Sequence, residues 1–318
     1  MIVNLSLFFL GIGILFVSGD VLIRASIDLS EKMAVSPAII GLTIVAFGTS
    51  IPELLVAVQA TLDGFEDLAL GNIVGSNIAN ILLILGVPSL IVKIRNSETG
   101  LIKNYYFMLA VTLGFVYFLS AGQISFGHGL FLIGLLLVFV ISTIFYKSSF
   151  NPGSNQIKFV KDQGGLGLSK IVIFIFVGFC GLPLGSKILI NGATRFAEIV
   201  GISEAIIGLT LVAVGTSLPE LTTSVVAAYR KETGLLLGNV IGSNMFNILG
   251  IAGVAALISP LTAGNGLDNK AMFFLIISSL AIMPFILWQH AISRLIGTSF
   301  IFLYICYIMT LTQRLVQL

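Results

Sequence analysis

Apolar runs of about 20 residues, each closed by a short polar connection, follow one another along nearly the whole chain. A run of that length is what an α-helix needs to cross a hydrocarbon layer of ~30 Å. The runs and their Gly, Pro and charged punctuation predict ten spans, at 3–27, 37–62, 68–91, 102–120, 126–146, 170–194, 204–229, 235–258, 271–289 and 294–315. The expected fold class is all-α integral membrane. The first run opens almost at Met1 without a basic leader or a small-residue cleavage site, so it reads as an uncleaved first span. The single extended polar connection, 147–169, divides the chain into 1–146 and 170–318, with five spans in each part.

Composition narrows the function classes. Of 318 residues, 57% are hydrophobic and 9% charged, against about 25% charged in soluble domains, and the spans leave no room for a soluble domain beside them. A net charge of +2 from 16 basic and 14 acidic residues offers no basic face for phosphates, which excludes nucleic acid as a partner. Cys180 and Cys306 lie inside apolar runs without metal-ligand spacing. Twelve basic residues, from Arg24 and Lys32 to Arg230, Lys231 and Arg294, fall in alternate connections. Arg195, Lys270 and Arg314 fall on the other side, and Lys187 lies within a span. Because Lys and Arg concentrate in cytoplasmic connections, the 147–169 loop is expected in the cytoplasm and both termini outside, in a cell (inner) membrane.

The two parts repeat each other. GLTIVAFGTSIPEL at 41–54 returns as GLTLVAVGTSLPEL at 208–221, and GNIVGSNIANIL at 71–82 returns as GNVIGSNMFNIL at 238–249, always 167 residues later. Between 41–86 and 208–253, 25 of 46 positions are identical without a gap. A duplicated unit of five spans inserts the second copy upside down, which is the inverted repeat of secondary transporters, with a site at the midplane.

The repeated residues are oxygen donors. Pro52 and Pro219 lie inside spans, lack an N–H, and free the carbonyls of Gly48 and Gly215, so each helix should break there. A carboxylate follows each proline, Glu53 and Glu220, and an ionisable group at that depth marks a pathway. Thr49 with Glu53, and Ser76 with Asn80, are spaced to share one helical face, as are Thr216 with Glu220 and Ser243 with Asn247. Carboxylate, hydroxyl, amide and carbonyl oxygens without His or thiolate suit Ca²⁺ or Na⁺, and two carboxylates carry the charge that one Ca²⁺ neutralises. Mg²⁺ and Mn²⁺ accept the same ligands. Helix packing accounts for any single Ser, Thr or Gly equally well, but not for two glutamates. Asn72, Asn77, Asn239 and Asn244 suit helix-packing hydrogen bonds or ion contact. Asp20 and Lys187, equivalent positions of the first and sixth spans, suggest a contact with each other or a water-filled vestibule serving both, with Lys187 snorkelling to an interface as the alternative.

GTSIPE with GNIVGSNIAN, and GTSLPE with GNVIGSNMFN, resemble the two alpha-repeats (41–86 and 208–253) of the cation/calcium exchanger superfamily, in its sodium/calcium exchanger branch of prokaryotic type. The resemblance implies a ten-helix antiporter exchanging Na⁺ for Ca²⁺, with the second and third helices of each half forming the site and the first and sixth sliding over it. It implies that Glu53 and Glu220 hold Ca²⁺, with backbone oxygen from Thr49 and Thr216. Ser50, Ser76, Ser217 and Ser243, with the carbonyls of Ala46 and Ala213, would line Na⁺ sites, and Asn80 and Asn247 would complete the centre. Some members, potassium-dependent ones included, carry aspartate where this chain has Asn247. Proton-coupled members tend to place glutamate soon after the Gly-Asn pair, where this chain has Ile73 to Gly75 and Val240 to Gly242.

Potassium-dependent, proton-coupled or other divalent-cation exchange is the alternative within transporters. A calcium channel would use the same oxygens, but the inverted repeat favours alternating access. An intramembrane enzyme would need a nucleophile with its base, or a metal set. His128 and His290 lie near span ends outside the repeats, so no enzymatic activity and no cofactor are expected. The partners expected are Ca²⁺, Na⁺ and the lipid bilayer, and the residues identify no protein partner.

Overall fold

Charged residues stop a hydropathy window but do not stop a helix, and the two longest helices show it. A computed structural model describes residues 2–96, 98, 100–145, 166–199, 213–262 and 269–315. Helix α1 (Ile2–Met33) and helix α8 (Leu168–Ile199) run 32 residues each, about 48 Å at ~1.5 Å per residue, and both outrun their predicted ends at 27 and 194. The second span is built from α2 (Pro37–Ile40), a π-helical turn (Gly41–Val45), α3 (Ala46–Thr49) and α4 (Ile51–Leu62). Helices α5 (Glu66–Ile91), α6 (Gly100–Ser120) and α7 (Phe126–Phe145) complete the first half. In the second half come α9 (Ala213–Thr216), α10 (Leu218–Tyr229), α11 (Thr233–Met245), a π-helical turn (Phe246–Ile251) and α12 (Ala252–Ile258). Then follow α13 (Asn269–Ala281), α14 (Met283–Leu287) and α15 (Arg294–Leu315). Pro284 splits the ninth span, and residues 204–212 of the seventh lie outside the described residues.

The two spans that follow the broken helices form the interior. In α5 and in the helix from Thr233 to Ile258, 72% and 78% of the apolar window is buried, against 22–39% in the other long apolar helices. Large side chains such as Phe16, Leu137, Val138, Phe176 and Phe302 instead point outward, as they must toward lipid. Lipid tails are as apolar as leucine, so helices associate here by close packing. A methyl group at Gly242 would meet the Leu42 carbonyl, which is how α11 lies directly on the broken second span.

Connections predicted on one side gather at one end. Arg95 Nε donates to the Gln289 carbonyl (3.0 Å), Thr233 Oγ1 to the Arg95 carbonyl (3.2 Å), and the Leu166 N–H to Asp28 (3.3 Å). Ile94 bridges Ile292 at the same end. At the other end, β1 (Gln123–Ile124) pairs with β2 (Leu261–Thr262), and Ser259 donates to Glu66 (3.0 Å). Ile94 and Leu261, which anchor the two pairings, are 167 residues apart.

The duplication is visible in the packing. Gly11 lies against Leu189 and Gly178 against Leu22, two contacts that exchange when 167 is added or subtracted. Helices α1 and α8 therefore cross antiparallel about their own pseudo-two-fold axis. This geometry corrects the Asp20–Lys187 contact suggested by their equivalence. With residue 11 level with 189 and residue 22 level with 178, the two charges stand about seven residues apart along the helices, roughly 10 Å at ~1.5 Å per residue. Asp20 instead pairs with Arg24 (2.8 Å) and with Arg230 at the end of α10. Part-exposed as it is, the Asp20–Arg230 pair contributes about 1 kcal/mol or less.

Candidate cation-binding site

The proline effect localises the chemistry. Without an N–H on Pro52, the helix bends by 44° between the segments Pro37–Thr49 and Ile51–Leu62, and Ser50 is the hinge, at φ −83° and ψ 3°. Ser217 has nearly the same backbone, φ −87° and ψ 6°. The break thus falls two residues beyond the freed carbonyls of Gly48 and Gly215. Thr49 and Glu53, like Thr216 and Glu220, therefore stand on either side of a hinge.

At each hinge the backbone turns so that side chains meet across the halves. Ser50 Oγ donates to Glu220 Oε1 at 3.4 Å, and Ser217 stands beside the Glu53 carboxylate. Glu53 and Glu220 are 1% and 2% exposed, although no basic side chain pairs with either among the described residues. Around them Thr49, Ser50, Ser76, Asn80, Ser217, Ser243 and Asn247 are all buried, as is Ala46. Thr216 is half-buried, and the backbone of Ala213 opens α9. Asn247 sits in the π-helical turn Phe246–Ile251, whereas Asn80 lies in regular helix. Such turns concentrate at functional positions.

The neighbouring asparagines resolve differently from one another. Asn72 Nδ2 donates to the Glu53 carbonyl (3.0 Å), which ties α5 to α4, and Asn77 Nδ2 donates to the Ile73 carbonyl of its own helix (2.7 Å). Asn239 reaches Thr223 (3.4 Å) and receives Thr49 at 3.5 Å, both weak bonds. Neither amide atom of Asn244 has a partner.

Leaving a buried polar group unpaired costs about 1–3 kcal/mol, and more for a charge. Buried side-chain atoms without a hydrogen-bond partner nonetheless collect here. They include Oε2 of both glutamates, Oγ of Ser217 and Ser243, Nδ2 of Asn80 and Oδ1 of Asn247; beyond the two repeated motifs there are, among the described residues, only Ser26 and Ser224. Carboxylate oxygens only accept, so a neighbouring hydroxyl relieves them only in part, whereas a hard cation satisfies acceptor oxygens from both halves at once.

Ser186 carried no signal in the repeat. Its Oγ donates to the Gly215 carbonyl freed by Pro219, at 2.6 Å. Its repeat equivalent is Gly19, so comparing the halves could not reveal it.

Known proteins resemble this chain in sequence and fold. The sequence profile described as sodium/calcium exchanger protein matches residues 3–145 and 170–313. The sodium/calcium exchanger MaX1 of Methanosarcina acetivorans is 32% identical, over 97% of this chain and 98% of its own length. The membrane protein MJ0091 of Methanocaldococcus jannaschii is 33% identical, over 98% and 99%. A solved structure of the sodium-calcium exchanger NCX_Mj, soaked without Na⁺ and Ca²⁺, superposes with a TM-score of 0.84 at 32% identity, covering 98% of this chain and 99% of that one.

Proposed function

Because the chain belongs to the sodium/calcium exchanger family, we propose that it is a secondary antiporter exchanging Na⁺ for Ca²⁺ by alternating access, with its cations held between the two broken helices. The observation that carries this reading is the pair of buried glutamates with unpartnered oxygens, each faced by the hinge serine of the opposite half.

Glu53 and Glu220 hold Ca²⁺, with Thr49 and Thr216 supplying backbone oxygen. Ser50, Ser76, Ser217 and Ser243, together with the carbonyls of Ala46 and Ala213, line the Na⁺ positions, and Asn80 and Asn247 complete the centre. Residues 1–146 and 170–318 act as the two inverted units, joined by a cytoplasmic 147–169 connection in the cell (inner) membrane, with both termini outside. No covalent step and no cofactor enter the cycle.

Coupling follows from charge. When α1 and α8 cover the centre, two uncompensated carboxylates would be desolvated together, at a cost of several kcal/mol. One Ca²⁺, or Na⁺ ions in its place, removes that cost. The loaded protein therefore slides and the unloaded one does not, which makes each passage of Ca²⁺ depend on a return with Na⁺.

The test is Ca²⁺ uptake into proteoliposomes under an imposed outward Na⁺ gradient, with K⁺ replaced by choline. Uptake that requires the Na⁺ gradient and proceeds without K⁺ is the expected result. An absolute K⁺ requirement, or uptake driven by a pH gradient alone, would refute it.

A further inference from the structure

Two self-symmetric bodies are docked asymmetrically in this structure. The α1/α8 pair maps onto itself when the halves exchange, as the Gly11–Leu189 and Gly178–Leu22 contacts show. The helices that follow the hinges also map onto one another: α4 and α10 are 12 residues each. Asp63 ends α4 at φ −83° and ψ 0°, and its equivalent Arg230 ends α10 at φ −81° and ψ 0°. The next residues, Gly64 and Lys231, both turn to positive φ, +78° and +63°.

The contacts between the two bodies are not self-symmetric. Gly19 of α1 packs on Thr222 of α10, and beside it Asp20 holds Arg230. Exchanging the halves turns these contacts into Ser186 on Leu55 and Lys187 on Asp63. Neither is formed here. Leu55 is 64% exposed, Lys187 is exposed and has no carboxylate partner among the described residues, and Asp63 is exposed and receives only Gln59 Nε2 (2.9 Å).

The charges at these four equivalent positions are reversed in register. Asp20 corresponds to Lys187, and Arg230 corresponds to Asp63. Each docking therefore brings an acid to a base, never like to like. Independent drift of two isolated charges would have to restore complementarity at both partners. A carboxylate at a helix C-terminus also sits at the unfavourable end of the helix dipole, so Asp63 gains from an arriving cation, while Arg230 is well placed already.

We propose that Asp63 and Lys187 form the ion pair that closes the second end of the transporter, alternating with Asp20–Arg230, which closes the first. This rests on alternating access as the mode of transport. In this structure the first pair is made and the second is open. When α1 and α8 slide toward the Asp63 end, Asp20 leaves Arg230 and Lys187 reaches Asp63. These residues position the sliding helices and touch no ion.

The test is cross-linking in the full chain with Cys180→Ala and Cys306→Ala. Asp63→Cys with Lys187→Cys, oxidised in proteoliposomes, should form an intramolecular disulfide, which requires the two Cα atoms to approach within about 7 Å. Ca²⁺ exchange should then be lost and should return on reduction. Adding Arg230→Gln, which weakens the first pair, should raise the cross-linked fraction severalfold. Absence of the cross-link in vesicles that still exchange Na⁺ for Ca²⁺ would overturn the alternating pairs while leaving the exchanger reading intact, as would a cross-link yield unmoved by Arg230→Gln. If the pair of cysteines impairs insertion, Lys187→Asp with Asp63→Lys provides the second measurement. Exchange lost in each single variant and recovered in the double supports the pair; no recovery contradicts it.

Discussion

The hydroxyl of Ser186 on α8 caps the carbonyl of Gly215, the oxygen that Pro219 releases from its own helix. At the corresponding place in the first half stand Gly19 and Gly48, and glycine has no hydroxyl to offer. The bond thus belongs to one docking of α1/α8 only. Ser186→Ala should remove about 1 kcal/mol from the present conformation and shift the population about fivefold toward the other. A lone cysteine at Leu55, open here and covered by Ser186 in the exchanged docking, should label more slowly in that variant, by up to about fivefold. An unchanged labelling rate would place the bond in both states.

In the proposed centre two carboxylates carry the charge and Asn247 adds none. Asn247→Asp adds a third beside them, so it should tighten Ca²⁺ binding by about tenfold, an order set by one added charge contact in a desolvated site. It should also slow release, lowering the maximal exchange rate. Calcium titration and exchange rates on the same preparation check both, and a faster, weaker-binding variant would contradict the placement of Asn247 at the centre.

Orientation rests on charge bias. In the background without Cys180 and Cys306, a cysteine at Ser154 should resist a membrane-impermeant thiol reagent on intact cells, while one at Gln317 should react. The reverse pattern would invert the topology.

At the end carrying Arg230, three carboxyls crowd together. Burial, and then the charges of Glu98 and Glu31, push Glu232 upward from its ordinary value, with Arg230 opposing. Burial also raises Glu98, although Ser36 and the Ala38 backbone support its charge. A raised value in the folded state means that folding takes up protons, so the stabilisation is complete below the ordinary value of 4.5 and fades as pH rises through the raised one. Glu232→Gln should therefore raise stability at pH 7–8 by about 1 kcal/mol or less, with the gain shrinking toward pH 4.5. Thermal unfolding in detergent across that range measures it.

Most of this architecture is legible in the sequence because lipid imposes a simple code: about 20 apolar residues per span, with every buried charge conspicuous. Glu53 and Glu220 stand out for that reason, and the 167-residue repeat singles out the oxygen-bearing positions around them. Helix ends beyond the hydrocarbon, as at Asp28–Met33, were invisible to hydropathy because polar residues continue a helix in water. The hinge at Ser50 falls between Pro52 and the Gly48 carbonyl it frees, where a proline inside a span predicts a break, although proline alone does not name the residue at which the chain relaxes. Repeat equivalence points Asp20 toward Lys187, whereas in the fold it pairs with Arg24 and Arg230. Sequence equivalence names residues related by the axis, and an axis in the membrane plane carries one toward each face instead of bringing them together.

The most direct test of the two-glutamate centre is the initial rate of Na⁺-gradient-driven Ca²⁺ uptake by Glu53→Gln and Glu220→Gln beside the unmodified chain, each confirmed as folded. Glutamine keeps the shape and removes the charge that a divalent ion must meet, so uptake should fall by at least about a hundredfold in both variants, on the order of 3 kcal/mol or more for an unpaired buried charge. Uptake near the unmodified rate in either variant would contradict the assignment.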